Sequence, residues 1–129
     1  MRMMRAMAAM ALGLVAAAAM AGEADVIDVK VRRAAPHVYG FDVTVRSKDT
    51  GWDYYAERFE VVAPDGAILG TRMLLHPHET EQPFTRELDS VRIPASVDHV
   101  TVRAWMKRGA QTKAAGGETM RVKLSTSAQ

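Results

Sequence analysis

The chain has 129 residues, with 17 basic and 15 acidic side chains, four histidines, no cysteine and a formal net charge of +2. The absence of cysteine excludes disulfides, thiolate metal sites and a lipid anchor on an N-terminal cysteine. Arg2 and Arg5 carry the surplus positive charge, so the remainder is balanced and the electrostatic case for nucleic-acid binding disappears.

The first 21 residues read as a secretory signal. A basic head at Arg2 and Arg5 precedes an uncharged apolar run from Ala6 to Ala19, and Ala19-Met20-Ala21 has the small-x-small cleavage pattern. The run is too short to anchor the chain across a bilayer core about 30 Å thick. Cleavage is expected after Ala21, with Ala24 as a secondary position, giving a periplasmic or secreted product without a membrane span or lipid anchor. Six of the nine methionines leave with this segment, so a methionine-based copper site has no basis. Residues 22–129, about 108 in number, suit a single domain.

Period-two alternation then runs almost to the end, which is the pattern of half-buried strands. Ile27, Val29 and Val31 alternate with charged residues; Tyr39, Phe41, Val43 and Val45 form the next apolar row. Phe59 and Val61 follow, and "APDG" at Ala63–Gly66 is a tight-turn sequence. A segment from Ile68 to Leu75 is apolar on both faces, and a weaker strand begins at Phe84 and stops before Ile93-Pro94. Val100, Val102, Ala104 and Met106 alternate again, and Met120, Val122 and Leu124 close the series. Seven such segments with no helical period predict an all-β fold, an antiparallel β-sandwich of immunoglobulin-like type, with a small closed barrel as the rival. Residues 107–119, rich in Gly and Ala, read as a flexible loop, and 125–129 as a disordered tail.

The chemistry-bearing residues gather between Leu74 and Pro94. His76 and His78 flank Pro77, and residues two apart in an extended segment point to one side. Imidazole suits copper(II) or zinc, and Glu79 or Glu81 is the expected third ligand. The same histidines could instead shape the turn or meet a partner, because an H-x-H pair alone is a weak signal. His37 and His99 would join a site only if the fold brings them near. Arg86 shares parity with Phe84 and is expected to pair with Glu57, Glu60, Glu79 or Glu81; the alternative is capture of an anionic ligand. Trp52, Tyr54 and Tyr55 form an aromatic group expected to cap one end of the core. No nucleophile elbow, reactive cysteine or phosphate loop occurs. The expected function is therefore an exported, non-catalytic binding domain, with another exported protein as its partner class. The alternative is a small enzyme using His76 or His78 with Glu79 or Glu81 as acid and base.

The string "GWDYYAERFEVVAPDGAILGTRMLLHPHETEQPFTREL", Gly51 to Leu88, resembles an uncharacterised family of small exported bacterial β-sandwich proteins. Its pattern is G-W-x-x-Y-A, P-D-G and H-P-H-x-x-E-Q-P-F-T-R. The resemblance implies export and fold, and it groups Trp52, Tyr55, His76, His78, Glu81, Gln82, Phe84, Thr85 and Arg86. Of these, Trp52, Tyr55, Gln82, Phe84, Thr85 and Arg86 are the candidate partner surface.

Overall fold

The computed structural model describes residues 22–114 and 117–124. The expected signal segment 1–21 and the expected tail 125–129 lie outside the described residues. Eight strands follow one another: β1 (Ala24–Ala35), β2 (Val38–Ser47), β3 (Tyr54–Val62), β4 (Ile68–Met73), β5 (Phe84–Arg92), β6 (His99–Arg108), β7 (Gln111–Ala114) and β8 (Met120–Lys123). Every pairing is antiparallel. One sheet has the order β1-β2-β5; the other runs β4-β3-β6-β7, with β8 also on β6.

Because β3 occupies one edge of β6, the two short strands share the other: β7 pairs Trp105–Arg108 and β8 pairs His99–Val102. The immunoglobulin-like sandwich is thus the fold, with one change from the constant-type order. There the fourth strand extends the first sheet; here β4 pairs β3. No helix among the described residues is long and apolar enough to cross a membrane.

The alternation seen in the sequence fills the core. Phe41, Val43 and Val45 from β2 face Phe59 and Val61 from β3, Phe84 from β5, and Val100, Val102 and Met106 from β6, all fully buried. Where β4 meets β5, Gly70 sits against Val91 and Leu88, and an added Cβ would lie only 3.1 Å from Val91. Gly66 completes the "APDG" turn at φ 93°, where a side chain would be strained.

Two expectations need correction. Ile27 does not share a row with Val29 and Val31, because the β1–β2 register shifts between Val26 and Asp28. Val26 therefore enters the core, and Ile27 does not belong to it. A bulge changes which face each following residue takes. Second, the segment 107–119 is not one loose loop: Gly109, at φ 60°, turns β6 into β7. Further on, Glu118 docks on β1, its carbonyl accepting from Val26 N at 2.9 Å and its amide donating to Asp25 Oδ1 at 2.7 Å.

Antiparallel register fixes which loops meet. Phe84 opens β5 opposite Val45 near the end of β2, and Tyr54 opens β3 opposite Arg108 at the end of β6. The 48–53 and 74–83 loops therefore share one end of the sandwich. The His37 turn, Pro94 and His99 lie at the other.

Candidate binding surface at the loop end

The two loops are joined by side chains that satisfy main-chain groups. Asp49 Oδ1 accepts from Ala56 N at 2.9 Å, beside the β3 bulge, and its Oδ2 accepts from His78 N at 2.8 Å. Gln82 works in the opposite direction. Its Oε1 accepts from Ser47 N at 2.8 Å, while its Nε2 donates to the His78 carbonyl at 2.9 Å and to Ser47 Oγ at 3.1 Å. Leu74 N donates to the Glu57 carbonyl at 2.7 Å. A ten-residue irregular segment is thereby tied down at its start, middle and end, with the Leu74 amide and both main-chain groups of His78 paired. The Gln82–Pro83 peptide is cis.

His78 is the centre post. Only 4 % of it is exposed, and its ring lies flat on Phe84, with centroids 4.0 Å apart and planes 9° apart. The His76 ring lies beside it, at a centroid distance of 4.4 Å and a tilt of 34°. Both ring nitrogens of His78 are buried without a hydrogen-bond partner. Each such group costs about 1–3 kcal/mol when water is withdrawn. Burial, followed by the charges of His76 and Arg86, lowers the His78 pKa below the ordinary histidine value, so the ring is neutral near pH 7. His76 is exposed, and its Nδ1 lies 2.8 Å from the Pro77 carbonyl.

Arg86 is paired with Glu81, as the sequence suggested, at 2.9 Å. A hydrogen bond from Arg86 holds the Glu81 carboxyl below the usual carboxylate range. Of the candidate partner surface, Tyr55 and Phe84 are buried and act by packing. Gln82 ties the loops, and Thr85 is bound to Thr44 by a 2.7 Å hydroxyl contact. Trp52 does not cap the core: it is 64 % exposed and stands edge-on against Tyr55, 5.6 Å away. Leu75, on the facing loop, is 76 % exposed.

His76 and His78 do come together, whereas His37 and His99 lie at the far end; His99 pairs there with Asp98 at 2.9 Å. Among the described residues, no group of three or more His, Cys, Asp or Glu side chains is arranged to hold a metal ion. Open clefts also occur at that far end, one of about 400 Å³ lined by His37, Leu69, Arg92, Ile93, Pro94 and Ala95.

A protein of Halomicrobium mukohataei described as "Putative lipoprotein" is 37 % identical over 106 residues, 82 % of this chain and 50 % of its own length. The chain therefore spans about half the length of that relative. No family model matches the chain, and no solved structure does.

Sequence reasoning missed a second polar cluster, on the outer face of the larger sheet. Glu60, buried, accepts from Trp105 Nε1 at 2.7 Å and Arg103 Nε at 3.0 Å through one oxygen, and from Arg58 Nε at 3.2 Å through the other. Arg58 also lies over the Trp105 ring, 4.2 Å from its centroid. Only cross-strand register brings these residues together: Arg58 faces Trp105, and Glu60 faces Arg103.

Proposed function

We propose that this chain is an exported, non-catalytic binding domain of the cell envelope, and that it engages another exported protein through the loop end. The observation that carries the reading is the pair Trp52 and Leu75, two large apolar side chains held in solvent on loops already locked together. Preorganised loops spare the ordering cost of binding, and exposed tryptophan is the residue type that most often dominates an interface. Export is supported by the signal-like segment at residues 1–21 and by the description of the relative.

Photo-cross-linking in the native host tests the proposal. A photoreactive residue is placed at Trp52, at Leu75, and at Arg92 on the opposite end. The expected result is a discrete adduct with an envelope protein from the first two positions and none from the third. No adduct from either loop position, or equal adducts from all three, would overturn it.

A further inference from the structure

We propose that His76 and His78 form a two-imidazole copper(II) site, completed by solvent. This goes beyond partner binding and does not depend on it. Three observations converge on it.

The first is the pair of buried His78 nitrogens without partners, on a side chain that the fold holds firmly in place. Phe84 fixes the ring plane, and Asp49 fixes the backbone through the His78 amide. A rigid buried imidazole that makes no hydrogen bond lacks a partner rather than a place.

The second is the tautomer of His76. A carbonyl oxygen only accepts, so the 2.8 Å contact with Pro77 O puts the proton on Nδ1 and leaves the lone pair on Nε2. Metal-ligating histidines are commonly set up in this way, the other nitrogen donating to a carbonyl.

The third is spacing. With metal–nitrogen bonds of about 2.0–2.1 Å, two imidazoles on one ion have ring centres roughly 4.5 Å apart at a right angle and about 5.2 Å at a tetrahedral one. The observed 4.4 Å places the two rings within reach of one ion once the exposed His76 ring turns. Tetragonal geometry with nitrogen and oxygen ligands is the preference of copper(II), which also binds such sites more tightly than zinc does. Glu81 is engaged by Arg86, so water supplies the remaining positions. His76 is exposed, and turning its ring uncovers His78 to the ion.

The test is titration of the full chain, purified without a histidine tag, with copper(II) and separately with zinc. Calorimetry and electron paramagnetic resonance are the readouts. One equivalent of copper should bind in the micromolar range or tighter, with an axial spectrum showing two nitrogen ligands. His76→Ala, at an exposed position, should weaken binding by more than the roughly 10–100-fold cost of losing an outer-shell partner. His78→Phe should do the same while keeping a ring stacked on Phe84, and His37→Ala with His99→Ala should change nothing. Millimolar binding, zinc bound more tightly than copper, or unchanged affinity in folded His76→Ala would each overturn the proposal.

Discussion

Replacing Glu60 with Gln isolates one charge in an otherwise unchanged structure. Only 4 % of the Glu60 side chain is exposed, and three donors converge on it. Gln keeps one carbonyl oxygen for Trp105 and Arg103 but turns its amide towards Arg58 Nε, setting donor against donor. One charge-assisted bond worth about 1.5–3 kcal/mol is lost outright, and the two remaining bonds weaken. Arg58 keeps Glu57 as a partner, which holds the cost below the about 3–5 kcal/mol of a fully stranded buried charge. The expected loss is about 2–4 kcal/mol, or roughly 10–20 °C in Tm for a domain of this size. The sign of the pH dependence follows from the same contacts. Burial alone would raise the Glu60 pKa, but the Trp105, Arg103 and Arg58 bonds together bring it below 4.5. A depressed carboxyl stabilises the fold above its unfolded pKa, and that contribution disappears as pH falls through the lowered folded value. Urea unfolding followed by tryptophan fluorescence at pH 7 and at stepwise lower pH measures both effects. A loss below about 1 kcal/mol at pH 7, or a wild type–variant gap that widens in acid, would refute the reasoning.

Asp49→Ala removes the acceptor for both Ala56 N and His78 N. Leaving two main-chain donors unpaired should cost about 2–4 kcal/mol in chemical unfolding and quench the slow exchange of both amides. Phe84→Ala should cost about 3–5 kcal/mol, because it opens a cavity in the core and also removes the surface on which His78 lies; chemical denaturation measures it. Finally, Gly22 N lies 3.1 Å from Oδ1 of the buried Asp25. N-terminal sequencing of protein from the native host should begin at Gly22, whose new ammonium would face that carboxylate; a retained Met1 would contradict export.

The framework was legible wherever one strand buries one face without interruption. The rows Tyr39–Val45 and Val100–Met106 are core residues as read. Ile27 was misread because a bulge depends on the partner strand, and nothing in the local sequence announces it. The 111–114 strand was missed because four residues carry too little alternation to outweigh the Gly and Ala around them. At the loop end, the histidine pair and the Glu81–Arg86 bond follow from short-range spacing. The ties through Asp49 and Gln82 do not, since they cross 29 and 35 residues of sequence. Glu60 stayed hidden for the same reason: as a charged residue in a strand it looks solvent-facing until Trp105 and Arg103 are laid across it by the pairing of β3 with β6.

The central claim is that the 48–53 and 74–83 loops form one prebuilt surface, and residue-resolved amide hydrogen exchange tests it most directly. The amides of Ser47 and His78 donate across that junction, Leu74 N donates to Glu57 of β3, and Ala56 N donates to Asp49, the residue that also holds His78. They should exchange as slowly as neighbouring strand amides, and those of Ala56 and His78 should speed up together in Asp49→Ala. Free exchange at His78 and Leu74 in the wild-type chain would mean that the loops move separately, and the claim would fall.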